Sequence, residues 1–340
     1  MDVNTKSLIK NAYRITRRRG LTALRLRVPG GHLPARHLET IQRIADRFGD
    51  GTVHVTTRQG FEIPGIPMTD IEAVNREAAP LIRELEQSIG VKMDDPEKGY
   101  PAAGTRNVSA CIGNRVCQFA NTDTTALARK IEALIYPNHY HVKIAVSGCP
   151  NDCIKARMQD LGILSLVHPL QDRERCVGCL ACVNICQSRS TGALRFVNYQ
   201  VKREAARCIG CGECILSCPA LSWSRGEKFY RLLVMGRTGK KDPRMAQTFI
   251  NWIREEPMLN IIANMYRYIE RHIDTGLDKE HVGYIMDRTG YKVFRDTVLK
   301  GVTLNPGAEV ADRLEFKGSP YVLPAGPSHP EKLGRGERSA

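Results

Sequence analysis

All twelve cysteines of the 340-residue sequence fall into three short blocks of regular spacing. Two of the blocks repeat the pattern C-x2-C-x2-C-x3-C at an interval of 32 residues. Three thiolates at this spacing cover one face of a [4Fe–4S] cubane, and in two-cluster ferredoxins the fourth ligand comes from the other run. The repeat therefore predicts two clusters and a role in electron transfer. The first cluster would be held by Cys176, Cys179, Cys182 and Cys218, and the second by Cys208, Cys211, Cys214 and Cys186.

The alternative for closely spaced cysteines is a zinc ribbon, which uses two C-x2-C pairs separated by a longer gap and needs only four cysteines. The repeated block does not fit that arrangement, whereas all eight of its cysteines match the ferredoxin spacing. Pro219 follows Cys218, as it does in bacterial ferredoxins, but Gln187 stands in place of the proline after Cys186. We do not expect this departure to affect ligation.

The remaining block consists of a C-x5-C pair and a C-x3-C pair, and its four thiolates together can hold one further cubane. These four cysteines are Cys111, Cys117, Cys149 and Cys153. The residues around them form two motifs, Arg106-Asn107-Val108-Ser109-Ala110-Cys111 and Ala145-Val146-Ser147-Gly148-Cys149-Pro150-Asn151-Asp152-Cys153. A third motif, Thr56-Thr57-Arg58-Gln59-Gly60, precedes both.

In these three motifs the chain resembles the sirohaem sulfite and nitrite reductase family, and the resemblance extends from about Thr5 to Pro306. It implies an α+β sulfite/nitrite reductase fold, with a ferredoxin-like half-domain, a sirohaem and [4Fe–4S] domain, and an inserted 2[4Fe–4S] ferredoxin domain. It also implies that the C-x5-C and C-x3-C quartet holds a third [4Fe–4S] cluster. Cys153 would be the thiolate shared between that cluster and the sirohaem iron.

The same resemblance identifies candidate substrate contacts. Arg58 and Arg106 match cations that surround the bound oxyanion, and Lys143 matches the second lysine of a Lys-x-Lys pair whose first position is His141 here. Sulfite gains electrons and loses its oxygens as water, so its site needs fixed positive charge and proton donors. A protonated imidazole at His141 could supply both. The histidines at positions 54, 168 and 281 have no motif around them, and we expect structural roles for them.

Sirohaem has several carboxylate groups, which predicts further cationic contacts at Arg115 and in the segment from Gly236 to Lys241. That segment contributes Arg237, Lys240 and Lys241. A phosphate-binding loop is the alternative for it, but the spacing of its glycines fails the Walker pattern, and Lys241 follows Lys240 where serine or threonine is required.

No G-x-G-x-x-G motif follows a predicted strand, so electrons must come from partner subunits. The resemblance implies a flavin/nicotinamide reductase and an iron–sulfur subunit as those partners, and six-electron reduction of sulfite to sulfide as the activity. Single-chain relatives contain two copies of the half-domain and sirohaem domain, which implies a homodimer within a larger complex. The alternatives are a sirohaem nitrite reductase, a non-catalytic iron–sulfur electron carrier and a nucleic-acid-binding cluster protein.

The formal net charge of +14 is spread along the chain and is not concentrated in one basic tract, so we expect no nucleic-acid partner. No apolar stretch approaches the roughly 20 residues needed to cross a bilayer, and the first residues lack the apolar core of a signal peptide. We therefore expect a cytoplasmic protein without a membrane partner. Clusters, an anionic substrate and the sirohaem carboxylates would use much of the positive charge.

The elements that must position these residues form a predicted series of units. They are a half-domain at 1–68, the sirohaem and cluster domain at 69–170 and 225–318, the inserted ferredoxin domain at 171–224, and a tail at 319–340 expected to be disordered. Apolar periodicity predicts helices at Thr124–Ile135, near Met245–Ile273 and at Val282–Leu299, together with one from Asp70 to about Gly90.

Overall fold

The computed structural model describes residues 12–90, 107–136, 138, 140–239, 243–277 and 280–316. Within these residues the strands are β1 (Tyr13–Ile15), β2 (Leu21–Leu26), β3 (His54–Val55), β4 (Phe61–Pro67), β5 (Ser109–Ala110), β6 (Ile144–Ser147), β7 (Leu161–Gln171), β8 (Leu194–Val197), β9 (Gln200–Arg203), β10 (Trp223–Val234), β11 (Gln247–Ile253) and β12 (Glu309–Val310). The helices are α1 (His37–Phe48), α2 (Ile71–Gln87), α3 (Thr124–Ile135), α4 (Ala181–Arg189), α5 (Glu213–Leu216), α6 (Glu255–His272), α7 (Val282–Thr289) and α8 (Tyr291–Val298). None of the described helices is long and apolar enough to span a bilayer.

The first unit is an antiparallel sheet in the order β1-β2-β4-β3 with α1 and α2 packed on it. Alternate residues of the strands, such as Leu24 and Ile63, meet the apolar faces of both helices in one core. Helix α2 contributes Val74, Ala78 and Leu81 to this core. The predicted domain boundary after residue 68 therefore divides this unit, because the helix that follows the boundary completes its core.

The second unit is a six-stranded mixed sheet in the order β12-β11-β10-β7-β6-β5. Strands β5, β6 and β7 are parallel to one another, and β7, β10, β11 and β12 are antiparallel. Helices α3, α6, α7 and α8 share a core with this sheet. Because β5 and β6 are parallel neighbours, the loops that follow them emerge at the same edge of the sheet.

Two of the predicted helices differ from those observed. The helix predicted near Met245–Ile273 begins only at Glu255, because the preceding Gln247–Ile253 is strand β11. Phe249 and Ile250 of this strand are fully buried, which is the environment that favours aromatic and β-branched residues in a sheet. The helix predicted at Val282–Leu299 is divided into α7 and α8 at Gly290, whose φ of 88° is incompatible with a continuous helix.

Residues 172–222 form a small unit between β7 and β10. These two strands are antiparallel neighbours that pair from Val234↔Leu161 to Trp223↔Gln171, so the chain leaves the sheet and returns to it at one point. The unit contains the β8–β9 hairpin, α4 and α5, and its core includes Val183, Leu194 and Val201. This insertion therefore does not interrupt the larger sheet.

A buried ion cluster joins the first two units. Arg27 Nη2 donates to Glu132 Oε2 at 2.7 Å, and its guanidinium also lies 3.8 Å from Glu86 Oε1 and 4.5 Å from the centre of the Tyr136 ring. The other oxygen of Glu132 accepts a hydrogen bond of 2.8 Å from Val108 N. Burial raises the pKa of both Glu132 and Glu86, which Arg27 opposes. Arg27 is therefore the counter-ion of two buried carboxyl groups.

Replacing Arg27 by alanine is expected to lower the free energy of unfolding by about 3–5 kcal/mol, because it leaves buried carboxyl groups without their counter-ion. Urea denaturation followed by circular dichroism measures this change. Arg14→Ala is the matched control: Arg14 also pairs with a glutamate, Glu62, but its side chain is 53% exposed. We expect that control to cost less than about 1 kcal/mol. Equal losses for the two variants would contradict the prediction.

Candidate functional site

The thiols of the C-x5-C and C-x3-C cysteines converge at the edge of the large sheet where β5 and β6 end. Cys111 follows β5, and its N–H donates to Val146 O of β6 at 3.1 Å. Gly148 N, immediately after β6, donates to Cys111 Sγ at 3.1 Å. Burial raises the pKa of the Cys149 thiol to about 11, and the proximity of the other three thiols contributes to the increase. These three are Cys111, Cys117 and Cys153.

One side of this quartet is open to solvent. Cys149 is buried, whereas Cys153 is exposed. The carboxylate of Asp152 accepts hydrogen bonds from Ala156 N at 2.6 Å and Arg157 N at 3.1 Å, and these bonds fix the turn that contains Cys153. Asp152 has a left-handed φ of 52°, so the turn depends on this local bonding. The exposed thiol is thus rigidly placed and accessible.

The loops that contain the quartet also expose apolar side chains. Val116 is 76% exposed, Ile112 is 53% exposed and Met158 is 38% exposed. Contiguous apolar surface beside polar groups is typical of a ligand site. An accessible thiolate with apolar neighbours suits a flat macrocycle that takes an axial sulfur ligand.

Arg58 lies in a tight loop between β3 and β4. Thr56 Oγ1 accepts hydrogen bonds from Arg58 N at 3.3 Å and Gly60 N at 3.0 Å, and Gln59 adopts a left-handed φ of 60°. The Arg58 guanidinium reaches the second unit, where Nη2 donates to Gln159 Oε1 at 2.9 Å. Burial lowers the pKa of Arg58, which nearby Asp160 opposes. Arginine still keeps its charge at neutral pH because its ordinary pKa exceeds 12.

The side chain of Gln59 fastens this loop to β5. Its Nε2 donates to Ala110 O at 2.6 Å, and its Oε1 accepts from Ala110 N at 2.8 Å. The amide thus pairs with the strand as a neighbouring peptide would. Asn107 Nδ2 adds a bond of 3.1 Å to Arg58 O. We call these contacts of Gln59 and Asn107 the β5 clamp, and they fix Arg58 relative to the residue that precedes Cys111.

A cavity of about 210 Å³ adjoins Arg58 on the face of the small sheet. Its charged and titratable lining residues are Arg14, Arg25, Arg27, Arg58, His54 and Glu62. Burial alone would raise the pKa of Glu62, but hydrogen bonds from Arg25 and Arg14 lower it instead. Even with Glu62 ionised, the arginines leave the cavity positively charged, so it favours an anion.

Asp160 organises the other predicted substrate contacts. Its Oδ2 accepts a hydrogen bond of 2.9 Å from Lys143 N, and its Oδ1 lies 4.0 Å from His281 Nδ1. The His281 ring meets the His141 ring edge to face, with 4.8 Å between the ring centres. Since Asp160 also acts on Arg58, the structure brings Arg58, His141 and Lys143 around one buried carboxylate. His281, for which we expected an ordinary structural role, belongs to this group.

The predicted cofactor contacts fall in different surroundings. Arg115 is exposed, and its guanidinium contacts His32 Nδ1 at 3.1 Å and Thr125 Oγ1 at 3.0 Å. Arg237 is only 7% exposed, lies over the Tyr284 ring and donates to Asp287 Oδ2 at 2.7 Å. This placement favours a role for Arg237 in holding its segment. Gly239 of that segment lies beside Lys143 Nζ. The predicted residues Arg106, Lys240 and Lys241 lie outside the described residues.

The cysteines of the insertion form two further groups. One small cavity is lined by Cys186, Cys208, Cys211 and Cys214, and burial raises the pKa of Cys214 to about 12. In the other group, burial raises the pKa of the Cys182 thiol, and nearby Cys218 adds to the increase. The Sγ atom of Cys218 accepts a hydrogen bond of 3.2 Å from Ser222 N. These groupings match the two ligand sets predicted from spacing.

All twelve cysteines lie in the described residues and are free thiols. Nowhere in that part of the chain are three His, Cys, Asp or Glu side chains arranged to hold a single metal ion. Four ligands of one zinc ion must converge on one point, whereas each ligand of a cubane binds a different iron. The three sets of thiols therefore suit clusters better than zinc.

Two family comparisons match this arrangement. Residues 102–304 match the family described as "Nitrite and sulphite reductase 4Fe-4S domain". Residues 15–81 match the family described as "Nitrite/Sulfite reductase ferredoxin-like half domain". Together they include every residue assigned above to the candidate site.

Individual proteins give the same result. The C-type subunit of the anaerobic sulfite reductase of Salmonella typhimurium is 43% identical over 329 residues, which are 94% of this chain and 97% of that protein. The coenzyme F420-dependent sulfite reductase of Methanocaldococcus jannaschii is 30% identical over 275 residues, which are 79% of this chain and 41% of that protein. The crystal structure of dissimilatory sulfite reductase I has a similar fold, with a TM-score of 0.64 and 18% identity, over 89% of this chain and 73% of that one.

Proposed function

Because this chain belongs to the nitrite and sulphite reductase family, we propose that it is the catalytic subunit of an anaerobic sulfite reductase that reduces sulfite to sulfide with six electrons. The observation that supports this most directly is the β5 clamp. It joins Arg58, a candidate anion-binding residue, to the strand that ends at Cys111. A fixed cation and a quartet of thiols thus belong to one rigid arrangement, as reduction of a bound anion requires.

The donor groups of the chain fit the cofactors of this chemistry. Cys111, Cys117, Cys149 and Cys153 would hold a [4Fe–4S] cluster, with the exposed Cys153 also the axial ligand of sirohaem. Arg115 would contact a carboxylate of the macrocycle, as would Lys240 and Lys241, while Arg237 would support their segment. When bound, this cofactor pair supplies electrons to the sulfur atom of the substrate.

The chain's own residues would bind the anion and deliver protons. Arg58, Arg106 and the ammonium group of Lys143 would hold the oxygens of sulfite, which stabilises negative charge during reduction. Each of its three oxygens leaves as water and takes two protons, so proton donors must lie close by. The imidazole of His141 is the candidate donor. His281 packs against its ring, and Asp160 lies on the far side of His281, where it favours a protonated imidazole.

We further propose that the insertion holds two [4Fe–4S] clusters, which makes three in the chain, and that a flavin/nicotinamide reductase and an iron–sulfur subunit reduce them. The cavity lined by Cys186, Cys208, Cys211 and Cys214 supports the second of these clusters. The Salmonella relative is named as one subunit of its enzyme, which supports an assembly of several different chains.

A homodimer within that assembly is also proposed, since the half-domain family matches the chain at one segment, residues 15–81. Light scattering of the purified chain would show twice the monomer mass. Coexpression of Cys153→Ser and Arg106→Ala chains then tests whether the copies share sites. Recovered activity would show a shared site, and none would place each site within one chain.

The absorption spectrum of the anaerobically purified chain tests the proposed function. Sirohaem bands together with broad iron–sulfur absorption are expected, and iron–sulfur absorption alone would leave only an electron carrier. Turnover with a reduced viologen dye then separates the substrates. We expect sulfide from sulfite at a higher kcat/KM than ammonia from nitrite, and the reverse order would indicate a nitrite reductase.

Gln59→Ala is expected to lower kcat/KM for sulfite roughly 10- to 100-fold, because it removes both bonds that fix the Arg58 loop to β5. Gln59→Glu, which keeps the acceptor, should retain more activity than the alanine variant. Gln87→Ala, at the end of α2, is the control. A loss in kcat/KM accompanied by an equal loss of iron would indicate general destabilisation in place of positioning.

A further inference from the structure

The two inserted quartets lie at different places along β7. Gly210, between Cys208 and Cys211, accepts a hydrogen bond of 3.0 Å from Val167 N in the middle of the strand. Cys176 comes only after Asp172, which bonds to Ser222 beyond the end of the strand. Five residues of extended chain between Val167 and Asp172 span roughly 16 Å. The quartet of Cys186, Cys208, Cys211 and Cys214 is therefore the one beside the centre of the large sheet.

Asn121 connects this inner quartet to the Cys111 quartet. It is 2% exposed, and its N–H donates to Gly148 O, immediately before Cys149, at 2.7 Å. Its side-chain Nδ2 lies 3.4 Å from both Gly210 O and Ser165 O. Its Oδ1 lies against Gly212, between Cys211 and Cys214. One buried amide residue thus contacts the ligand loops of two different quartets.

The outer quartet differs in its exposure. Cys179 is exposed, and Val177 between it and Cys176 is 70% exposed. By contrast, all four cysteines of the inner quartet are buried or partly buried. An electron-donating protein can therefore approach the outer quartet most closely.

From these contacts we propose that Asn121 is a positioning residue that holds the inner quartet's loop against the Cys149 loop. Electrons then enter at the outer quartet and leave from the inner quartet toward the Cys111 quartet. This inference rests on the proposed function and adds the order of transfer to it. Each step moves one electron and no atom: the donor site is oxidised by one electron and the acceptor site is reduced by one. A reduced partner protein supplies the electrons.

Asn121→Asp tests the positioning role in the holoenzyme, because it keeps the size of the side chain but removes both Nδ2 hydrogens. Flash photoreduction with deazaflavin, followed by freeze-quench electron paramagnetic resonance without sulfite, measures electron transfer between the inserted quartets and the Cys111 quartet. We expect roughly tenfold slower transfer with unchanged iron content. Asn114→Asp, an exposed position between Cys111 and Cys117, is the matched control. Equal rates in both variants would overturn the role of Asn121.

The order of transfer has its own test, which does not depend on the stability of the Asn121 variant. Reduced neighbouring clusters broaden each other's resonance signals. Broadening of the Cys111-quartet signal should survive in Cys179→Ala and disappear in Cys211→Ala. The reverse result would place the outer quartet next to the Cys111 quartet and overturn the proposal. Sulfite turnover with dithionite and a viologen tests the proposed function separately, because small reductants do not need the partner's route.

Discussion

Cys153→Ala is expected to remove the sirohaem bands from the absorption spectrum and to abolish sulfite turnover. Cys153 is the exposed member of its quartet, so it is the thiol that a macrocycle can reach. Without it the chain loses both the proposed axial ligand and the fourth ligand of one cluster. Cys149 is buried beneath it and cannot replace it without movement of the turn that Asp152 fixes. Sirohaem content, iron content and dye-driven turnover together measure the effect.

Cys179→Ala is the matched control, since it makes the same change at an exposed cysteine in the insertion. It should lower the iron content while leaving the sirohaem bands in place. This contrast separates loss of a specific ligand from general loss of iron. If Cys153→Ala kept its sirohaem bands, or if Cys179→Ala lost them equally, the assignment of Cys153 as the axial ligand would fail.

The grouping of the cysteines could be predicted because ligands close in sequence are necessarily close in space. Helix α3 coincides with the predicted Thr124–Ile135 for a similar reason, since its periodic apolar residues and its N-terminal cap at Asp123 are local signals. Strand β11 was missed because its seven residues are short and apolar. Such a run resembles a buried helix until its pairing with β10 is known.

The surroundings of the predicted site depend on contacts between distant parts of the chain. Asp160 joins Lys143, His281 and Arg58, which come from three separate segments. A lone aspartate or histidine in sequence has no neighbouring signal of such a role. The same applies to Asn121, whose hydrogen bonds cross from one cysteine loop to another. Motifs therefore identified the residues that would touch ligands, but the residues that position them required the fold.

These two levels meet at Arg58, which the Thr-Thr-Arg-Gln motif identifies and the fold immobilises. Its backbone is held by Thr56 and Asn107, and its guanidinium by Gln159. Because this cation is already oriented, it can stabilise charge on a bound oxyanion without reorganising. The neighbouring arginines of the cavity are less suited to that role, since Arg14 and Arg25 are both bonded to Glu62.

Arg58→Ala is therefore expected to lower kcat/KM for sulfite about 10²- to 10³-fold, the usual effect of removing one preorganised charge donor. Arg58→Lys should recover only part of this loss, because an ammonium group cannot hold Gln159 and an anion with the planar geometry of a guanidinium. Steady-state kinetics with a reduced dye measure both variants, with sirohaem content as the check on assembly. Arg14→Ala, in the same cavity but neutralised by Glu62, should lower kcat/KM less than roughly threefold. Similar losses for Arg14→Ala and Arg58→Ala would mean that the cavity acts through its total charge and that Arg58 has no specific contact with the substrate.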